Sequence, residues 1–216
     1  SDISYHMGES LNGNLPAGNY PTDAGEYKAS ITVGGVTASV AYTIEKATPK
    51  AEDFIFAAPT SLTYDGNTKS PDIKWASGVS GMGKIGMWCY NEDGEFVLPK
   101  DAGTYTVKIN VAEGTNYKAA TELTAEDWKF TISRAKLTLN ANDFTFKAMD
   151  ELIYNGNPKT AEVTWKTEAK AMGFGAITVK YYDKDGKKVK EPKDAGTYTV
   201  KIDVAAGVGY EAQNDI

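Results

Sequence analysis

The chain has 216 residues, 41% hydrophobic and 24% charged, a globular composition with room for about one to three domains. With 23 Lys plus Arg against 29 Asp plus Glu the net charge is -6, and Arg134 is the single arginine, so bidentate phosphate contacts are scarce and nucleic acid is not an expected partner. One histidine and one cysteine exclude a Cys/His zinc site, a CxxC redox pair and an internal disulfide.

Taken in chain order, the apolar residues alternate with period two almost everywhere, the signature of half-buried strands. Tyr27, Ala29, Ile31 and Val33 share one face of a first strand, and Val40, Tyr42 and Ile44 share one face of a second. Phe54 and Phe56 open the next run, a turn follows at Tyr64-Asp-Gly-Asn67, and Ile73 with Trp75 begin another strand. The stretch Ala76–Met82 carries two glycines and resists a helix. A central strand, Ile85-Gly-Met-Trp-Cys-Tyr90, ends in a hairpin turn at Gly94. Tyr105, Val107, Ile109 and Val111 then alternate with Thr106, Lys108 and Asn110, a Gly-x-x-Tyr loop spans Gly114 to Tyr117, and Trp128, Phe130 and Ile132 close the series.

The series then starts again. PKDAGTYTVKI from Pro99 to Ile109 recurs letter for letter from Pro192 to Ile202, a displacement of 93. Tyr154-Asn-Gly-Asn157 answers Tyr64–Asn67, Trp165 answers Trp75, and Ile177–Tyr182 answers Ile85–Tyr90. Lys166–Met172, which has helix-forming composition, aligns with the glycine-bearing Ala76–Met82, so a loop or one short helical turn is expected in both. A partial copy stands in front: Asp23-Ala-Gly-Glu-Tyr27 matches Asp101–Tyr105, and Tyr42–Ala47 matches Phe130–Ala135. Three units follow, 1–47 with rear strands only, 48–135 complete, and 136–216 without a counterpart of Trp128–Ile132. Short strands joined by glycine-rich turns predict an all-β chain of tandem, small, antiparallel Ig-like β-sandwich repeats with helix below about a tenth of the residues. The incomplete ends read as a segment of a longer array; their complementary defects allow strand sharing between molecules, the alternative being a smaller first unit that packs against the middle one while the last tolerates an open edge.

Asp-Ala-Gly-x-Tyr at the entrance to a late strand is the setting of a tyrosine corner, so Tyr27, Tyr105 and Tyr198 are expected to bond back to nearby backbone with their rings in the core. Val107 and Val200 stand where an immunoglobulin cysteine would, so apolar packing replaces the disulfide. Gly66, Gly103, Gly156 and Gly196 are the expected turn glycines, the two in the DAG element through positive φ or close strand approach. The Tyr-Asp/Asn-Gly segment, the Ala-Gly-Thr-Tyr-x-Val-x-Ile strand, the Gly-x-x-Tyr loop and the closing Phe-x-Ile-x-x-Ala together resemble the MBG and YDG-type repeats of bacterial surface proteins and the wider bacterial Ig-like repeats. That resemblance implies a secreted or cell-wall protein in which the repeats act as stalk or adhesin modules without chemistry of their own.

Other candidate sites are sparse. Trp88 and Tyr90 face outward if Ile85, Met87 and Cys89 face inward, and two aromatics about 7 Å apart on a sheet can stack on sugar rings; the alternative is packing under a loop or a neighbouring domain. Cys89 reads as a small buried hydrophobe, and His6 as an exposed or edge-strand residue. Asn91–Glu95 and Asp183–Lys187 faintly resemble calcium loops, but lysines crowd the second and hairpin turns suffice for both. Trp75, Trp165, Tyr117 and Tyr210 read as core or loop anchors. No carboxylate pair, metal site or cofactor is expected, and no apolar run reaches the roughly 18 residues of a membrane span. The opening Ser-Asp-Ile-Ser-Tyr lacks the basic start and apolar run of a leader, so it reads as a mature protein or an excised piece. The leading expectation is a non-catalytic stalk or spacer in the cell wall or at the bacterial surface, whose partners are its neighbouring repeats. An adhesin module binding surface glycan or a host protein, and an accessory domain of a secreted carbohydrate-active enzyme, are the alternatives.

Overall fold

A computed structural model describes residues 3–8, 15, 20–149 and 151–216. The strands are β1 (Ile3–Met7), β2 (Gly25–Val33), β3 (Val36–Ile44), β4 (Phe54–Ala57), β5 (Asp72–Trp75), β6 (Ile85–Tyr90), β7 (Gly103–Val111), β8 (Ala120–Leu123) and β9 (Lys129–Ile132). After them come β10 (Phe144–Lys147), β11 (Glu162–Trp165), the single helical turn α1 (Glu168–Ala171), β12 (Phe174–Tyr182), β13 (Lys188–Val189) and β14 (Thr199–Ala206). They form several small sheets: β1-β2-β3, β4-β5, β6-β7-β8 with β9 also on β7, β10-β11, and β13-β12-β14. Antiparallel pairing is the rule, as in the unbroken ladder from Gly25 opposite Ile44 to Val33 opposite Val36. The fold class is therefore all-β. The stretch Lys166–Met172 contributes only the turn α1, and at Ala76–Met82 the positive φ of Gly78 and Gly81 prevents a helix altogether.

The chain divides into two compact units, each discontinuous in sequence. One holds the described residues of Ser1–Ala58 with Pro71–Val97 and Thr106–Lys129; the other holds Pro59–Ser70, Leu98–Tyr105 and Phe130–Ile216. Both sequence boundaries, 47/48 and 135/136, fall inside a unit rather than between the units.

In the first unit the core is built where period two predicts it. Val107 and Ile109 are completely buried and Val111 nearly so, while Thr106, Lys108 and Asn110 on the same strand remain half-exposed. Each such aliphatic side chain contributes about 1.5–3 kcal/mol of transfer free energy, so the alternation fixes the register. Trp128 joins them, its ring edge-on to Phe54 at 6.0 Å. The alternation fails at Met87, which is exposed although Cys89 beside it on that face is buried. Trp75 is also exposed, at 40%, and is no core anchor.

The second unit has its own cluster: Leu139, Phe144, Ile202 and Val204, with Val163, Trp165, Phe174 and Ile177 packed around them. Trp165 lies between Phe144 at 4.7 Å and Phe174 at 5.3 Å, which does make it an anchor. The end of the chain completes this cluster, because Ile216 and Ile202 exchange backbone hydrogen bonds at 3.0 and 3.1 Å, and Gln213 bonds Val204 in the same way.

Candidate functional site

Each DAG element makes the same local bond. The hydroxyl of Tyr27 donates to the carbonyl of Asp23 at 2.9 Å, that of Tyr105 to Asp101 at 2.7 Å, and that of Tyr198 to Asp194 at 2.9 Å. The rings differ in shelter. Tyr27 is stacked on Tyr42 and Tyr105 on Phe130, and both are about 5% exposed. Tyr198 has no ring against it among the described residues and is only half-buried, which corrects the expectation of a core position. Gly66 and Gly156 have φ of 78° and 79°, the left-handed backbone their turns require. Gly103 has the expected positive φ, 158°, although a Cβ there would meet open space; one on Gly196 would touch only the Tyr198 ring, at 3.8 Å. Gly196 also lacks a positive φ, so neither physical reason advanced for it holds.

A more extensive arrangement lies between the closing runs and the Gly-x-x-Tyr loops. In the first unit, Ala47 stands parallel to Tyr117: its N–H donates to Asn116 at 2.9 Å, and its carbonyl accepts from Lys118 at 2.8 Å. Lys46 pairs with Glu113, and Asn116 is bound to the first DAG element, accepting from the Ala24 N–H at 2.9 Å and donating to Asp23 at 2.8 Å. In the second unit, Ala135 repeats the pattern one copy later. It donates to Gly209 at 2.8 Å and accepts from Glu211 at 3.0 Å, parallel to Tyr210. Arg134 donates to the Gly207 carbonyl at 2.7 Å, in the place of Lys46, and Ala102 of the second DAG element donates to Val208 at 2.7 Å.

The side chains at the second contact are closely fitted. Tyr210 is stacked on Phe174 at 4.5 Å and meets Tyr64 edge-on at 5.2 Å. A Cβ on Gly209 would lie 2.2 Å from the Tyr64 ring, so only glycine allows that approach. The loops themselves are rigidly held: Asn116 donates to Gly81 at 2.9 Å, and Tyr210 to Gly173 at 3.0 Å. From the sequence, Tyr117 and Tyr210 read as core or loop anchors. Their meeting with Ala47 and Ala135 was unread, although the signal existed in the joint recurrence of Phe-x-Ile-x-x-Ala and Gly-x-x-Tyr.

The remaining candidates offer little chemistry. Trp88 is 36% exposed, and its ring lies across Gly86, where a Cβ would come within 2.5 Å of it. Tyr90 is half-buried, with Phe96 edge-on at 6.3 Å and the Lys108 ammonium 4.9 Å from its ring centre. Cys89 is buried, and desolvation pushes its thiol pKa up, away from a nucleophilic thiolate. His6 lies on the edge strand β1 but is only 4% exposed, with Nε2 2.9 Å from Ser30 Oγ, so it is not an exposed residue. In the turn at Asp183 the carboxylate accepts from the N–H groups of Asp185 and Lys187 at 3.0 and 2.9 Å, the work of a hairpin turn.

Lys180, which replaces Trp88 in the second copy, lies between Asp203 at 2.6 Å and Asp215 at 2.5 Å and is 11% exposed. The hydrogen bonds it donates to Asp203 and then Asp215 push its pKa up, which holds the amine charged and unable to act as a nucleophile. Among the described residues no group of three or more His, Cys, Asp or Glu is placed to hold a metal ion, and no helix is long and apolar enough to cross a membrane.

Residues 143–210 match the family model of the MBG domain. This is the family that the Tyr-Asn-Gly and Ala-Gly-Thr-Tyr motifs resemble. The matched span runs from the turn before β10 to Tyr210, the residue that meets Ala135. No curated protein and no solved structure matches the chain.

Proposed function

We propose that this chain is a non-catalytic spacer or stalk segment of a bacterial cell-surface or secreted modular protein, built of Ig-like sandwich repeats bounded at 47/48 and 135/136. The observation that carries this reading is the contact seen twice, Ala47 with Tyr117 and Ala135 with Tyr210. Each joins the end of one repeat to a loop of the next by two backbone hydrogen bonds, a basic side chain and the DAG element. A linker of so few residues, clamped in this way, resists bending. The MBG match in residues 143–210 supports the surface setting. Spin labels at residues 67 and 157, in a Cys89→Ala background, test it. A narrow distance distribution, broadened in Ala135→Pro, which removes the N–H bonded to Gly209, is expected. A distribution already broad in the parent chain would overturn the spacer reading.

A second reading has one observation in its favour, the aromatic surface of Trp88, Tyr90 and the 59%-exposed Phe96. As an adhesin module the chain would stack glycan there or bind a host protein. Glycan-array binding lost in Trp88→Ala is the expected result, and an array without signal would remove that reading.

A further inference from the structure

We infer that Gly173 and Gly209 form a socket that receives Tyr64 from the Tyr-Asp-Gly turn of the preceding repeat, and that the residue at position 116 or 209 decides whether a repeat offers that socket. The inference rests on the repeat reading above and names the side chain by which one repeat selects its neighbour. Gly81 and Gly173 hold the same place in the two copies. Each has a positive φ, 72° and 92°, and each carbonyl accepts from the residue before the loop tyrosine, from Asn116 at 2.9 Å and from Gly209 at 3.0 Å. The bare backbone of this glycine is covered in both copies, but by different side chains. In the middle repeat the loop covers it with its own residues: a Cβ on Gly81 would lie 2.6 Å from Asn116 Nδ2 and 2.5 Å from Thr115 Oγ1. In the last repeat the cover comes in part from the preceding repeat, since a Cβ on Gly173 would lie 3.2 Å from the Tyr64 hydroxyl and 3.1 Å from the Tyr210 ring.

Asn116 and Tyr64 thus join the repeats from opposite sides. Asn116 reaches out from the loop to the first DAG element, accepting from the Ala24 N–H at 2.9 Å and donating to the Asp23 carboxylate at 2.8 Å. Tyr64 reaches into the loop, edge-on to Tyr210 at 5.2 Å. Burial, then Tyr210, Asp101 and Asp65, push its hydroxyl pKa up, so Asp101 of the second DAG element is among its neighbours. The Ala102 N–H, with no asparagine side chain to meet, donates to the Val208 carbonyl at 2.7 Å instead.

The two arrangements exclude each other. A Cβ on Gly209 would lie 2.2 Å from the Tyr64 ring, far inside van der Waals contact, so an asparagine at that position and Tyr64 cannot share the socket. In the other direction, glycine in place of Asn116 would remove the acceptor of the Ala24 N–H and the donor to Asp23. A clash on one side and lost polar partners on the other keep similar surfaces from exchanging partners. Repeats as alike as these need such a device, because docking out of order is a characteristic failure of tandem arrays.

Hydrogen exchange of the whole chain tests this at the amides of Ala135 and Glu211, whose bonds join the two repeats, with the Val204 amide as the measure of folding. Gly209→Asn should speed exchange at Ala135 and Glu211 about tenfold or more, because protection there measures local opening of the contact. Adding Tyr64→Ala to that variant should return protection to within about threefold of the parent chain, since the emptied socket then takes the introduced asparagine as Gly81 takes Asn116. Asn116→Gly should speed exchange at Ala24, which loses its acceptor, and leave Ala135 as it was. Unchanged exchange at Ala135 in Gly209→Asn, or at Ala24 in Asn116→Gly, would overturn the inference. So would a double variant no better protected than Gly209→Asn alone, and this comparison still decides if the single variant loses protection at Val204 as well. The distances between residues 67 and 157 are measured in the parent chain and do not depend on these substitutions, so the spacer reading and the socket fail separately.

Discussion

Tyr105 and Tyr198 sit in identical runs of eleven residues, make the same bond to the carbonyl four residues back, and differ completely in surroundings. Tyr105 lies under Phe130 in a sealed core, whereas Tyr198 forms the wall of an open cavity. The local geometry thus belongs to the motif, and the burial belongs to a segment some 25 residues further along. A corner tyrosine closes its loop whether or not a core forms over it.

Replacing the rings breaks this comparison most directly. Tyr105→Ala should cost about 3–5 kcal/mol, the range for deleting a buried aromatic, and Tyr198→Ala about 1–2 kcal/mol because half of that surface is already in water. Denaturant unfolding measures both; equal losses would mean that Tyr198 is sheltered in solution. Next in size is Gly209→Leu, which drives a side chain into the Tyr64 ring and should cost about 1–3 kcal/mol. An unchanged unfolding midpoint would show that the Ala135 contact opens freely.

The hydroxyls alone give a smaller difference. Tyr105→Phe leaves the Asp101 carbonyl without its donor in a part-buried place and should cost about 1 kcal/mol, while at the exposed Tyr198 bond water replaces the donor and the loss should be under about half of that. Hydrogen exchange of the DAG segments would resolve the two. The copies also differ in charge. Lys180 holds the Asp203 carboxyl below the ordinary carboxylate range, as Lys69 does for Asp65. Folded values below the unfolded ones mean stabilisation that is present above about pH 4 and lost as the pH falls through the folded values. Asp203→Asn should therefore lessen the acid dependence of unfolding; the same dependence in the variant would dismiss the pair as a contributor. Smallest of all, Gly196→Ala should be neutral or stabilise by up to about 1 kcal/mol, since its backbone needs no glycine, whereas Gly156→Ala at φ 79° should destabilise by a similar amount.

Period-two alternation alone named the buried face of β7, because a strand with one wet face has a single workable register. The Asp-Ala-Gly-x-Tyr run, present three times, likewise marks the three tyrosine bonds, which span only four residues and need no tertiary support. Tertiary structure decided the rest. Met87 and Trp75 alternate correctly yet are exposed, since burial requires an opposing layer and not only a pattern. His6 is buried on an edge strand for the converse reason, having found cover that its polarity would not suggest. Tertiary structure also decided the contacts of Ala47 with Tyr117 and Ala135 with Tyr210: the recurrence of their motifs marks both partners, but the backbone hydrogen bonds that join them, which every residue but proline can make, do not say in sequence which motif meets which.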